Sequence, residues 1–163
     1  METKFNEIKE VILQRAKNNN ACVEEFKEAF KSNSMSELCQ VLKDNFNWGC
    51  NNGVITPDII DLYAVEFAEC EIWHNVNVKC GFLLTSGSST VEASGSSTVR
   101  AFGSSTVRAS GSSTVEASDS SYTYCSSFIE CKISNKAIIR RCDTNTIEYC
   151  SDDLSIVKKA PNK

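Results

Sequence analysis

His74 is the only histidine of the chain, and it stands in Glu71-Ile-Trp-His-Asn-Val-Asn-Val78 with Cys70 before it and Cys80 after it. A histidine beside a thiol is the pairing that makes a general base and a nucleophile. No phosphate loop, HExxH, GxSxG or paired-carboxylate motif accompanies them, so the sequence points away from an enzyme and to a histidine satisfied inside the structure. The nine cysteines (22, 39, 50, 70, 80, 125, 131, 142, 150) are odd in number and form no CxxC pair. They read as free buried thiols rather than disulfides or metal ligands, and neither a metal nor a cofactor is expected. Recognition chemistry is more visible. Arg108, Tyr122, Tyr124, Ile138 and Arg140 combine tyrosine, arginine and an apolar residue, the types that dominate protein interfaces. Phe102 is an aromatic outlier in an otherwise small-residue stretch. Whether these residues meet depends on the elements that carry them.

Those elements are set by a repeat. Four successive octads, Gly87–Ser94, Gly95–Phe102, Gly103–Ser110 and Gly111–Ser118, follow the pattern G-S-S-T-V-[E/R]-A-x. A flexible linker needs only a composition, whereas here Val and Ala recur at fixed places two apart, as on one side of a β-strand. Thr and Glu/Arg then point to the other side, with glycine in the turn. The phase persists in degraded form to Cys150, with Thr123, Cys131, Ile139 and Ile147 in the valine column and with Leu83 and Thr85 fitting upstream.

The outward charges fix the coil length, because directly stacked strands favour opposite charges and resist like ones. Eight residues per coil stacks Arg100 on Arg108, and twenty-four stacks Glu92 on Glu116. Sixteen gives one ladder that alternates throughout, Arg100–Glu116–Lys132–Glu148, and a second, Glu92–Arg108–Tyr124–Arg140. The expected fold is therefore a two-sided parallel β-solenoid with about 16 residues per coil and about five coils. Its two outward faces are unequal. One bears Thr98/Arg100, Thr114/Glu116, Glu130/Lys132 and Thr146/Glu148, which neutralise one another. The other bears Thr90/Glu92, Thr106/Arg108, Tyr122/Tyr124 and Ile138/Arg140. Near the end Arg141 falls where an apolar residue belongs and Leu154 and Ile156 fall in outward columns, so the register is expected to slip there.

The first half has helical periodicity. Phe5, Ile8, Ile12 and Ala16 mark a first helix, and Asn20 is placed to cap a second that turns Val23, Phe26 and Phe30 to a core. Ser34 with Glu37 fits a capping box before Leu38, Val41, Leu42 and Phe46, with Gly49 just past the end. Thr56 before Pro57 opens a helix carrying Ile59, Ile60, Tyr63 and Phe67. The fold class is α+β: about four short helices over 1–71 as an N-terminal cap, octads over 72–158 with a degenerate C-terminal cap, and a tail at 159–163. Trp48 and Trp73 are read as core rather than pocket residues.

The formal charge of −4 divides into 13 acids against 8 bases in residues 1–80 and 8 against 9 beyond them, neither a basic arm nor an acidic tail. No run approaches the roughly 18 apolar residues of a membrane span, and the charged start METKFNEIKEVILQR is unlike a signal peptide. A cytoplasmic protein that does not engage membranes is the expectation.

The octads GSSTVEA and GSSTVRA, the helical segment before them and the tail SFIECKISNKAIIRRCDTNTIEYC resemble octapeptide-repeat proteins of gut bacteria and their phages. The resemblance implies an architecture and assigns no functional residue. Other solenoids are set apart by their chemistry. Calcium-binding β-rolls need aspartate in their turns, and residues 87–118 contain none. Pentapeptide DNA mimics need a strongly acidic surface, and ice-binding solenoids show paired threonines where a charge stands here. The function expected is a non-enzymatic protein-binding module presenting Arg108, Tyr122, Tyr124, Ile138 and Arg140, with Phe102 as a further anchor. The alternatives are a phage or mobile-element inhibitor of a host defence complex and a self-associating structural protein, including a homo-oligomer formed through the same face. Two arginines are a weak electrostatic footprint for nucleic acid.

Overall fold

The computed structural model describes residues 2–149 and the backbone of 160–161. It forms two compact units, Met1–Ile72 and Trp73–Lys163, and the fold class is α+β: a helical N-terminal unit followed along the chain by a parallel β-solenoid.

The helical unit has six helices where about four were expected: α1 (Glu2–Asn18), α2 (Val23–Lys31), α3 (Met35–Asp44), α4 (Phe46–Asn51), α5 (Pro57–Leu62) and α6 (Ala64–Glu69). Ile8, Ile12 and Ala16 bury one stripe of α1. Asn20 ends α1 instead of capping α2. It adopts a positive φ of 55°, and the bonds Asn20 N–H to Lys17 O (3.3 Å) and Ala21 N–H to Ala16 O (2.9 Å) close a Schellman motif.

α2 differs from expectation in its buried side. Val23 and Phe30 are 65% and 63% exposed while Ala29 is buried, and the ammonium of Lys9 lies 5.6 Å from the Phe30 ring. The Ser34 half of the capping box of α3 is present, with Ser34 Oγ accepting Glu37 N–H at 3.2 Å, while Glu37 Oε2 accepts the N–H of Asn33, one residue before the cap, at 2.6 Å. α3 stops at Asn45 because its side chain donates to Val41 O (3.0 Å) while its backbone leaves the helical region. Gly49 therefore lies within α4 and not past a helix end. A Cβ there would stand 2.7 Å from Ile55 Cδ1, so the absence of a side chain permits this packing. A second break at Tyr63 divides α5 from α6. Cys39 and Cys70, read as free thiols, form a disulfide with a Cα–Cα distance of 6.0 Å, inside the range such a bond needs.

The solenoid begins with β1 (Ile72–His74) and β2 (Val78–Thr85) and continues through β3 (Thr90–Ala101), β4 (Thr106–Ala109), β5 (Thr114–Ala117), β6 (Tyr122–Cys125), β7 (Glu130–Ile133) and β8 (Ile138–Arg141). It makes about four turns of about 16 residues. One parallel ladder stacks Thr90–Ala93, β4, β6 and β8, and the other stacks the end of β2, Thr98–Ala101, β5 and β7. Val91, Val99, Val107 and Val115 fill the interior between them, with Leu83, Ile139 and the alanines.

The corners explain the rest of the octad. The third-place serines Ser97, Ser105, Ser113 and Ser121 are buried, and each hydroxyl donates to the carbonyl three residues back at 2.6–2.8 Å. Gly111 has φ +70°, and a Cβ on it would meet Gly95 N at 2.7 Å. Asp119 holds the same left-handed turn with φ 59°, and its carboxylate accepts Gly103 N–H at 3.0 Å.

Arg100, Glu116 and Lys132 stack in the order the sixteen-residue period requires. Glu148 does not join them. β9 (Thr146–Tyr149) turns back through Asn145 (φ 52°) and runs antiparallel to β8, with Ile139 opposite Glu148 and Ile138 opposite Tyr149. β10 (Ala160–Pro161) then pairs antiparallel with β9. The fifth coil is thus replaced by a hairpin at this end. Leu154 and Ile156 lie outside the described residues.

Candidate protein-binding surface

In β6 the sequence Tyr-Thr-Tyr-Cys alternates strictly, so burial of Thr123 and Cys125 in the solenoid drives both tyrosines outward. Register does the rest. Tyr124 lies between Arg108 and Arg140, and Tyr122 between Thr106 and Ile138. Stacked strands are about 4.8 Å apart, which puts the two arginines about 10 Å apart across Tyr124.

Tyr124 is 39% exposed and Ile138 38%; Arg108 and Arg140 are exposed and Tyr122 is half-buried. Among the described residues no ion pair or ring contact engages either arginine. The opposite face behaves differently. Glu116 pairs there with Arg100 (4.0 Å) and Lys132 (3.6 Å), and Arg100 also donates to Glu116 O at 3.0 Å.

Five of the six sequence-predicted residues therefore share one face, and Phe102 does not. It sits in a corner before Gly103, where its ring carries the Arg100 guanidinium at 4.4 Å. Two residues were missed. Because β9 runs antiparallel, Ile147 lies opposite Arg140 and Tyr149 opposite Ile138, so both fall on the same outward face, with Tyr149 39% exposed. The parallel register expected from the octad phase hid them. Phe128, 75% exposed at a corner, was missed as well, although it breaks the serine column just as Phe102 breaks another.

Arg141 explains the turn-back. Its side chain enters the solenoid and donates to Ser126 O (2.9 Å), Ile129 O (2.8 Å) and Cys125 Sγ (3.2 Å), and it pairs with Glu148 at 3.0 Å. Burial opposes its charge, but the Glu148 hydrogen bond and the two nearby thiols outweigh this and hold the guanidinium protonated. Cys125 and Cys131 have sulfurs 3.6 Å apart. The contact with Cys131 holds Cys125 below the ordinary thiol range against burial, with Arg141 assisting, while Cys131 is pushed up.

His74 Nε2 lies 3.0 Å from Ser86 Oγ, and Cys70 is engaged in its disulfide. Among the described residues no group of three or more His, Cys, Asp or Glu could hold a metal ion, and no helix is long and apolar enough to cross a membrane. No family model, no curated protein and no solved structure matches the chain.

Proposed function

We propose that this protein is a non-enzymatic binding module whose solenoid presents Arg108, Tyr122, Tyr124, Ile138, Arg140, Ile147 and Tyr149 to a protein partner with an acidic contact surface. The observation that carries this reading is the asymmetry of charge satisfaction. Arginine and lysine on one face are both ion-paired to Glu116, whereas among the described residues neither guanidinium flanking Tyr124 forms an ion pair, although Glu92 is the strand neighbour of Arg108. Unmatched guanidiniums beside exposed aromatic rings gain most from a partner that supplies carboxylates and covers the rings. A rigid ladder adds to this, because the side chains lose little backbone freedom on binding.

The test is affinity capture on wild-type protein, followed by titration of the purified partner against Tyr124→Ala/Arg140→Ala. Hot-spot tyrosines and arginines contribute about 2 kcal/mol or more each, so losing one of each should lower affinity by roughly 1,000-fold. It should also weaken with salt in the wild type. Undiminished binding by the double variant, with the fold intact by circular dichroism, removes this face from consideration.

A further inference from the structure

We infer that Cys125 and Cys131 form a redox-active dithiol near the hairpin end of the solenoid, a modification site that a peroxide converts to a disulfide between the two ladders. The site is independent of the outward surface proposed above. One coil earlier the same two places hold Ala109 and Val115, the apolar pair of the regular octads. One coil later, Arg141 is the strand neighbour of Cys125. Three departures from the octad thus meet at one level. The two thiols face each other across the interior with sulfurs 3.6 Å apart, and Arg141 Nη1 lies 3.2 Å from Cys125 Sγ and 3.6 Å from Cys131 Sγ.

Alanine and valine fill these places in the preceding coil and are buried there, so packing alone does not call for sulfur. A guanidinium beside thiols favours the thiolate, the form that reacts with oxidants. The two sulfurs differ in access. Cys125 is buried, whereas Cys131 is half-buried, because β7 pairs only with β5 among the described strands and no further coil covers it. A peroxide therefore meets Cys131.

Arg141 supports one negative charge on the pair, and in the resting state the remaining proton lies on Cys131. That proton passes to Cys125 across the S–H···S contact as Cys131 attacks. An S–O bond forms on Cys131, the O–O bond of the peroxide breaks, and hydroxide leaves, so Cys131 becomes a sulfenic acid. Cys125 then attacks the Cys131 sulfur. The S–S bond forms, the S–O bond breaks, and the departing hydroxide takes the Cys125 proton as water. Each sulfur loses one electron to the new bond, and the peroxide is reduced by two.

The full chain is reduced, freed of reductant and treated with hydrogen peroxide, then alkylated with iodoacetamide in denaturant and digested with trypsin. Both cysteines fall in one tryptic peptide, Ala109–Lys132. In mass spectra that peptide should appear unalkylated and lighter by two hydrogens, forming roughly tenfold faster than exposed Cys22, Cys80 and Cys142 are oxidised. Dithiothreitol should restore both thiols. Cys125→Ala and Cys131→Val install the residues of the preceding coil and keep the interior filled. In Cys125→Ala the sulfenic acid loses its resolving thiol, so dimedone should label Cys131; in Cys131→Val it should leave Cys125 unlabelled. Full alkylation of both cysteines while the exposed thiols oxidise, a cross-link from either one to another cysteine, or dimedone on Cys125 in place of Cys131 would each overturn the inference.

Discussion

Replacing Arg141 by methionine tests the account of the solenoid end most directly. The side chain is only 8% exposed, and the substitution withdraws donors from Ser126 O and Ile129 O at once. It also leaves the Glu148 carboxylate, itself 13% exposed, without its cation. Removing one member of a buried ion pair costs about 3–5 kcal/mol, because the remaining charge is stranded in low dielectric. At about 2–4 °C per kcal/mol for a chain of this size, the melting temperature should fall by roughly 6–20 °C. Far-UV circular dichroism during heating measures it. A double variant, Arg141→Met/Glu148→Met, should recover much of the loss, since replacing both charges with apolar groups of similar volume is often close to neutral. Arg141→Met melting within about 2 °C of wild type, or a double variant no more stable than Arg141→Met, would refute the idea that this pair anchors the hairpin.

Two further perturbations probe other levels of the fold. Gly87 and Gly111 share a positive φ, but only at Gly111 does an added Cβ meet backbone, at 2.7 Å from Gly95 N. Gly111→Ala should therefore cost about 1–3 kcal/mol more than Gly87→Ala in urea titrations, and equal losses would contradict the stacking distance at that corner. Asp58 accepts hydrogen bonds from Thr56 and Arg15, which hold its carboxyl below 3.8. A depressed folded value means stability that is present above the ordinary range and lost as pH falls through the lowered value. The difference in melting temperature between wild type and Asp58→Asn should hold steady at neutral pH and shrink below pH 3.8; a difference independent of pH would exclude that linkage.

The solenoid was legible because its interior and its charges obey one period. Val and Ala columns require a strand, and the signs at Arg100, Glu116 and Lys132 admit a single stacking distance, which the registers bear out. The same extrapolation fails at Glu148 for a physical reason. Arg141 occupies an inward place, a guanidinium there needs a carboxylate, and the chain turns back to bring Glu148 to it. Periodicity carries no information about such a requirement, so Ile147 and Tyr149 could not be assigned to the face that the antiparallel register gives them. In the helices the apolar stripes were readable but their partners were not. The stripe expected of α2 was Val23, Phe26 and Phe30, yet burial goes to Ala29 while Val23 and Phe30 face outward. The cavity among α1, α2, α3 and α4, lined by Trp48, Val41 and Leu42, has no counterpart in the periodic pattern, because a space between four helices is a property of their packing.

The corner serines have a consequence for length. Each of Ser97, Ser105, Ser113 and Ser121 satisfies its hydroxyl on a carbonyl of its own turn, so no regular octad depends on a distant segment for that bond. A pair of octads is consequently an exchangeable cassette: inserting one moves the hairpin two strands further along and leaves the corner bonds of every other coil intact. Such an insertion at the Gly103–Ser118 pair would widen the separation between Glu92 and Arg140 without altering the chemistry of either. Reach along the solenoid is therefore a variable that this architecture can change in fixed steps, separately from the identity of the side chains at its end.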